Sequence, residues 1–254
     1  MWLRKQIVLG FTASYNKDIN PEATLYSYNS ATGVYTSKPM NVKGGDMWKF
    51  AFNYDQGIGF YFRLMNKFAL ETAKSYGFLT IVDNNAADAQ PELNKQKRLG
   101  INNEFEFSYE TEKLQLTLFD RLESNRYRYD DASYNTTPLF NSVGISANLH
   151  LAPFEVFVQL SDDYCSGYAT SAMNGHKLKS MASVRWSFCK NKCMLSLFAD
   201  DIFNKDIWYE SEYSAFQRQE YSTNYIHHYL NLSFRYRIDA KAKNGKSTTI
   251  SSRR

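Results

Sequence analysis

The stretch that decides the fold reads IHHYLNLSFRYRI and runs from Ile226 to Ile238. Every second residue in it is apolar, with His228 as the exception, and the residues between them are mostly polar or basic. A period of two sends alternate side chains to opposite faces of a β-strand. The stretch therefore predicts a strand with one apolar face and one polar face.

The same alternation recurs along the chain, and no segment keeps the 3.6-residue period of an amphipathic helix. The alternating segments are Ile7–Tyr15, Trp48–Tyr54, Phe60–Leu70, Leu99–Tyr109, Leu114–Leu122, Val143–Leu151 and Leu178–Phe188. Phe119 and Asp120 interrupt the pattern locally. About ten residues at roughly 3.3 Å each, tilted by about 40°, cover about 25 Å of the membrane normal. Strands of this length can therefore cross a bilayer.

Short and long connections alternate between the predicted strands. The short turns are Gln56-Gly57, Glu110–Glu112, Ala152-Pro153 and Lys190–Lys192. The long, mostly polar loops are Lys17–Gly45, Lys74–Lys97, Arg128–Pro138, Ser166–His176 and Lys205–Thr223. Outer-membrane barrels have short periplasmic turns and longer extracellular loops. The sequence therefore predicts an all-β, antiparallel up-and-down transmembrane β-barrel region of about ten strands over residues 1–238, in the outer membrane, with lipid around it and both termini on the periplasmic side.

The polar positions of these strands carry both signs of charge, which suits a hydrated or ion-paired lumen. The predicted inward-facing charged residues are Arg63, Lys67, Glu104, Glu106, Arg121, Glu123, Lys177, Lys179, Arg185, Arg235 and Arg237. Aromatic residues near strand ends predict an interfacial girdle, although aromatic residues also favour strands in general. These girdle candidates are Tyr15, Trp48, Tyr109, Tyr127 and Tyr225.

Composition separates the barrel region from the C-terminal tail. The mean hydropathy is −0.52, and no apolar run approaches the 18 residues of a membrane helix. The net charge of +4 equals that of the tail, which has Lys241, Lys243, Lys246, Arg253 and Arg254 against Asp239. We expect 239–254 to be a disordered polar tail. We expect no nucleic-acid partner, because no basic stripe lies on a recognisable module.

The first residues do not have the form of a signal peptide. The apolar stretch behind Arg4 and Lys5 is short, alternates into polar residues and has no small-residue cleavage site. An outer-membrane protein needs such a signal. We therefore expect the chain to be part of a longer polypeptide.

Few residues suggest a chemical site, and we predict no catalytic, cofactor-binding or metal residues and no enzyme activity. Cys189 and Cys193 flank a tight turn, so either a disulfide or two free thiols fit the spacing, and Cys165 has no evident partner. Three adjacent pairs are split between the two faces of their strands, so neither member can share an ion with the other. These pairs are Asp162-Asp163, Asp200-Asp201 and His227-His228.

Three stretches in order carry a family resemblance: the loop from Leu25 to Val42, the segment LSLFADDIFN from Leu195 to Asn204, and the closing strand LNLSFRYR from Leu230 to Arg237. Together they resemble the C-terminal barrel portion of TonB-dependent receptors and related outer-membrane β-barrel proteins of the Bacteroidetes type. The resemblance covers the chain up to about Ile238. It implies a barrel of about 22 strands with a plugged lumen, which imports siderophores, glycans or other large nutrients with energy from the TonB complex.

Three hypotheses remain open from the sequence. The first is part of a TonB-dependent-receptor-like transporter, whose plug and TonB-contacting segment are not among the 254 residues. The second is a free-standing small outer-membrane barrel with a structural or surface-binding role. The third is a soluble sandwich whose apolar faces pack together. An unpaired edge in lipid costs several kcal/mol per polar group. Ten strands in a membrane must therefore close on themselves or pair with strands of a parent protein.

Overall fold

A computed structural model of the protein describes residues 7–29, 31–78, 82–83, 93–203, 209–215, 218–222 and 228–238. Most of these residues lie in β-strands, and the helices among them are single 3₁₀ turns at Ala132–Tyr134 and Ser171–Met173. No helix in the described part is long and apolar enough to cross a membrane. The predicted tail, 239–254, lies outside the described residues.

The strands in the described part of the chain are β1 (Ile7–Lys17), β2 (Glu22–Asn29), β3 (Val34–Asn41), β4 (Asp46–Ile58), β5 (Phe62–Phe78), β6 (Val82–Asp83), β7 (Leu93–Glu110), β8 (Leu114–Tyr129), β9 (Leu139–Leu151), β10 (Phe154–Ser166), β11 (Gly175–Phe188), β12 (Cys193–Asp200), β13 (Tyr209–Tyr213), β14 (Arg218–Ser222) and β15 (Tyr229–Tyr236). The strands of the main sheet pair antiparallel in their order along the chain, whereas the short β6 pairs parallel with β2 in a separate small sheet. The main sheet has ten strands in the order β1-β4-β5-β7-β8-β9-β10-β11-β12-β15. The remaining strands form two small sheets, β3-β2-β6 and β13-β14, within the long connections. The predicted all-β class and antiparallel order are confirmed.

The predicted connections are partly confirmed. Ala152-Pro153 joins β9 to β10 as expected. The turn predicted at Gln56-Gly57 is wrong, because both residues pair with β5 and the chain reverses only after Ile58. The reversal uses Gly59, whose φ of +64° lies in the left-handed region that glycine enters without steric cost. The last strand is shorter than predicted, since His228, Arg237 and Ile238 lie outside β15, which runs from Tyr229 to Tyr236. Residues 226–227 of the predicted strand lie outside the described residues.

The register of the strand pairs keeps apolar and polar side chains on two separate surfaces through all ten strands. One surface, here called the apolar face, holds the odd-numbered residues of β1, β7, β9 and β12 and the even-numbered residues of β4, β5, β8, β10, β11 and β15. Phe52 illustrates it, because it lies opposite Phe11 on β1 and Phe68 on β5. The opposite surface, the polar face, carries most of the charged, amide and hydroxyl side chains. Every predicted inward-facing charged residue within a strand lies on it.

The two faces differ from those of a water-soluble sheet in which side chains they expose. Large apolar side chains are the exposed ones, such as Leu9 at 65% and Leu230 at 69%. Several polar side chains on the polar face are buried instead, including Asn94 at 5% and Ser161 at 4%. Soluble proteins place apolar surface inside, because its exposure to water is unfavourable. The apolar face therefore needs a cover that lies outside the described part of the chain.

The strands are staggered by a regular step. The residues that share one row across the sheet include Gln56, Leu118 and Ser180, linked by successive cross-strand partners. They lie two, four and eight residues from the turn ends of β4, β8 and β11 at Ile58, Leu114 and Phe188. The step is about one residue, roughly 3.3 Å, for each strand spacing of about 4.8 Å, which corresponds to a tilt of about 35°. Strands of transmembrane barrels tilt by about 35–45°.

The two outer strands each have one neighbour in the described residues. β1 pairs with β4, and β15 pairs with β12. Pairing between β1 and β15, which would close the sheet, is not observed there.

The break in the β8 pattern at Phe119 has a packing reason. Phe119 lies on the polar face directly opposite Gly144 of β9, and it is buried. A Cβ at Gly144 would overlap the Phe119 ring and would lie 2.7 Å from the Leu160 carbonyl oxygen. The Arg121 guanidinium lies over the same ring, 5.1 Å from its centroid. An aromatic ring over a glycine thus fills the polar face at this point.

We expect Gly144→Ala to lower the free energy of unfolding by about 1–3 kcal/mol, because the added methyl group displaces the ring and meets backbone that cannot move aside. Urea denaturation in a mild detergent, followed by circular dichroism, measures the change. Gly10→Ala is the matched control, since its Cβ would meet only Asn53 atoms at 3.6 Å. Equal stability of the Gly144 and Gly10 variants would contradict this packing.

Candidate ligand site at the loop end of the polar face

Ion pairs join neighbouring strands across the polar face. They are Arg63–Asp55 (2.5 Å), Lys67–Glu104 (3.2 Å), Arg98–Glu71 (3.2 Å), Lys179–Asp163 (3.1 Å) and Arg185–Glu155 (2.6 Å). Most of these side chains remain partly exposed, so each pair contributes little stability on its own. Their main effect is to neutralise charge along the face.

The structure separates the predicted acidic pair in β10. Asp162 lies on the apolar face, where its carboxylate is 2.7 Å from Nδ1 of His176. Asp163 lies on the polar face, where its buried carboxylate pairs with Lys179 at 3.1 Å. The prediction that these two side chains lie on opposite faces of the strand is confirmed.

The second acidic pair ends β12, and it lies next to the start of β15. Asp200 is the last residue of β12, and Asp201 follows it in a left-handed turn with φ of +43°. The carbonyl oxygen of Asp201 lies 2.8 Å from Nδ1 of His228. His227 lies outside the described residues, so the prediction for that histidine pair is untested.

The cysteines do not form a disulfide in the described structure. Cys165, Cys189 and Cys193 are free thiols, and Cys189 is the exposed one. The described residues also contain no group of three His, Cys, Asp or Glu side chains placed to hold a metal ion.

The residues predicted for an aromatic girdle lie on different faces of the sheet. Tyr15 and Trp48 lie on the apolar face at the loop end, with ring centroids 4.6 Å apart, and Tyr109 lies on the same face at the turn end. Tyr127 is buried on the polar face instead. The apolar residues of β8 alternate at even-numbered positions, whereas Tyr127 has an odd number. That difference is the signal in the sequence that Tyr127 lies on the polar face. Tyr225 lies outside the described residues.

Tyr127 lies under the β13–β14 hairpin. The Tyr213 ring of that hairpin stacks on Tyr127 with centroids 4.7 Å apart. Asn94, buried near the start of β7, donates a 2.8 Å hydrogen bond to the carbonyl oxygen of Ala215. The β13–β14 hairpin, which belongs to the connection between β12 and β15, therefore folds over the polar face at the loop ends of β7 and β8.

Glu220 of β14 holds the hairpin to a neighbouring loop. Its carboxylate accepts hydrogen bonds from the backbone N–H groups of Thr170 (2.7 Å) and Ala169 (3.1 Å), from the Arg218 guanidinium (2.8 Å) and from the Tyr213 hydroxyl (2.9 Å). Burial alone would raise the pKa of Glu220, but the hydrogen bonds from Arg218 and the loop backbone outweigh it and hold the pKa at about 2. The carboxylate is therefore ionised throughout the physiological range.

A cavity of about 250 Å³ lies between the hairpin and the polar face. It is lined by Glu123, Asn125, Tyr127, Pro138, Phe140, Tyr168, Glu210, Ser211 and Tyr213. Burial raises the pKa of Tyr168 to about 12, so its hydroxyl stays protonated and able to donate. Aromatic faces beside carboxylate and amide oxygens suit a ligand with hydroxyl or ammonium donors. Only docking of distant segments creates this site, so the strand pattern did not reveal it.

We expect hairpin docking to weaken at acid pH. The folded-state pKa of Glu220 is about 2 against a usual value of 4.5. Its stabilisation is therefore fully present above about pH 5 and is lost as the pH falls towards 2. Distances between spin labels at Gln219→Cys and Lys113→Cys, in a background without the native cysteines, measure docking.

In the same assay, Glu220→Gln should weaken docking at neutral pH by about 2 kcal/mol and should remove the pH dependence between 5 and 3. Glu212→Gln, an exposed change on the same hairpin, is the control and should leave both unchanged. Wild-type distances that stay constant down to pH 2 would contradict the role of Glu220.

No protein-family model, curated protein or solved structure matches this chain. Its function is therefore inferred from the two faces of the sheet and from the cavity at the loop end.

Proposed function

We propose that the chain is an outer-membrane β-barrel region belonging to a TonB-dependent-receptor-like transporter for a large nutrient such as a siderophore or glycan. One observation carries the membrane part: the apolar face is continuous over ten strands and its large side chains are exposed, whereas most of the buried polar side chains of these strands lie on the polar face. Lipid covers such a face and stabilises it. A soluble sandwich would instead need a second apolar layer, and no such layer exists among the described residues.

The height of the apolar face supports a bilayer as the cover. It extends from Ile58 to Trp48 on β4, from Phe62 to Thr72 on β5 and from Tyr109 to Leu99 on β7. Ten residues at roughly 3.3 Å, tilted by about 35–40°, cover about 25 Å, which is the height of the apolar band of outer-membrane barrels.

Aromatic clusters at the turn end of the apolar face also support this interpretation. Phe62 stacks on Phe107 (5.6 Å), and Trp186 stacks on Phe154 (6.0 Å) and Phe188 (4.5 Å). With Tyr15 and Trp48 at the loop end, rings flank the apolar band at both ends, as the girdles of membrane barrels do.

The transport role rests on the family resemblance and on the position of the cavity. Polar side chains line the face that would enclose a lumen, and the Tyr- and Glu-lined cavity lies at its loop end, where a ligand would arrive from outside. A plug carried by the parent protein would provide contact with the TonB complex and block the lumen at rest. No ligand-contact residue is transferred from the family.

A free-standing small barrel is the second candidate, because bulky side chains on the polar face could fill a narrow lumen. These include Phe119, Phe140, Phe157, Met181 and Phe198. A closed ten-stranded barrel is filled largely by its own side chains. β1 and β15 run antiparallel to each other, which is the orientation that closure requires.

We expect arginine on the apolar face to destabilise the protein according to depth. Phe52→Arg, midway along β4, should cost about 2–4 kcal/mol, and Thr72→Arg, at the end of the apolar span, about 0–1 kcal/mol. Asn53→Arg is the matched control on the polar face and should cost little. Urea titration in lipid vesicles, with heat-modifiable migration reporting the folded form, measures all three. A chain that stays folded and monomeric in water without detergent would overturn the membrane proposal.

Pairing between β1 and β15, which would close the sheet, distinguishes the receptor part from the free-standing small barrel. Thr12→Cys on β1 is combined in turn with Asn231→Cys, Ser233→Cys and Arg235→Cys on β15, in a background without the native cysteines. A receptor part, which pairs with parent strands, should give no intramolecular cross-link in any combination. One efficient cross-link in lipid would instead identify the small closed barrel.

A further inference from the structure

A row of charged residues crosses the loop end of the apolar face. Lys17, Asp46, Lys74, Lys97 and Arg128 lie directly opposite one another on five successive strands. The next row towards the turns begins with Tyr15 and Trp48 and ends with Arg126, and the rows below it are largely apolar. Cationic side chains therefore stand at the outer boundary of the apolar band.

The charges in this row are not balanced within the described residues. We define the basic cluster as Lys74, Lys97, Arg126 and Arg128, which adjoin the single carboxylate of Asp46. Asp46 pairs with Lys74 at 3.1 Å. Lys97 and Arg126 form no ion pair with any described residue.

Such an arrangement is unfavourable without an anion. Like charges directly opposite on neighbouring strands repel each other, and Lys74 lies directly opposite Lys97, which lies opposite Arg128. Asp130, another carboxylate at this end, accepts the backbone N–H of Lys95 (3.2 Å). The four positive charges of the basic cluster exceed the single negative charge of Asp46 and leave a local excess of positive charge.

The height of the cluster matches a lipid headgroup layer. Lys74 lies 12 residues from the turn end of β5 at Phe62, and Arg126 lies 12 residues from the turn end of β8 at Leu114. At roughly 3.3 Å per residue and a tilt of about 35–40°, both stand about 30 Å above the turns, just beyond the apolar band of about 25 Å. A concavity with a volume of about 400 Å³ lies between these side chains.

We propose that the basic cluster binds the phosphate of an anionic lipid in the outer leaflet, with the acyl chains lying on the apolar face below. This inference rests on the proposed membrane function. A bilayer lipid is favoured over free phosphate, because the cluster borders the apolar face and the lining includes Thr72 and Leu99 on the row below. Arginine and lysine beside an apolar surface satisfy both parts of such a molecule at once.

The test uses the full chain in vesicles of phosphatidylcholine with a defined fraction of phosphatidylglycerol. Quenching of tryptophan fluorescence by brominated phosphatidylglycerol, compared with brominated phosphatidylcholine, measures the preference for the anionic lipid. Each positive charge near a membrane surface contributes about fivefold to anionic-lipid binding. The triple variant Lys97→Gln, Arg126→Gln and Arg128→Gln should therefore reduce the preference on the order of a hundredfold.

Two further variants keep the test specific. Lys49→Gln, Lys67→Gln and Arg121→Gln together remove three charges from the polar faces of β4, β5 and β8, and should leave the preference unchanged. Arg126→Lys should retain most of the preference that Arg126→Gln loses.

The outcomes separate this inference from the proposed function. A chain that fails to float with vesicles overturns the membrane function itself. A chain that inserts but shows equal quenching by the two lipids, or loses its preference equally in both triple variants, overturns only the lipid site. Competition by inorganic phosphate at the same concentration as lipid phosphate would assign the cluster to a soluble anion and overturn the lipid source.

Discussion

The structure depends on one constraint: all ten paired strands keep their apolar side chains on the same surface of the sheet. Side chains alternate with a period of two, so a slip of one residue at any pairing would exchange the two faces of every strand beyond it. The phase is nevertheless kept from β1 to β15. Ion pairs between directly opposite residues, Lys67–Glu104 and Arg185–Glu155, fix the register on the polar face. Aromatic and aliphatic neighbours fix it on the other face.

The exceptions to this division follow the same physics. Some polar side chains lie on the apolar face, but they are hydrogen-bonded to each other across neighbouring strands. Asn66 donates to Asn103 (2.9 Å), and Asn141 donates to Asp120 (2.6 Å). A polar group without a partner in an apolar medium costs several kcal/mol. Mutual pairing therefore allows these residues to lie within a largely apolar face, and it explains Asp120 in the interrupted segment of β8.

The sequence predicted what depends on local periodicity and failed where distant segments meet. Strand existence, the faces of the charged residues and the alternation of connections all follow from the period of two. The site under the β13–β14 hairpin does not, because Tyr127 and Tyr213 meet only when a long connection folds back over β8. The turn after β4 was misplaced because Gly57 resembles a turn residue, whereas Gly59 adopts the left-handed backbone.

Both outer strands require a partner whichever form the complete protein takes. β1 and β15 each present one row of backbone groups that no described strand satisfies, and lipid offers no hydrogen bonds to replace water. The stagger of about one residue per strand is compatible with closure at a tilt typical of membrane barrels. A wider barrel with added strands meets the same requirement. The faces, the cavity and the basic cluster are formed within the strands present, so their chemistry does not depend on which partner completes the edges.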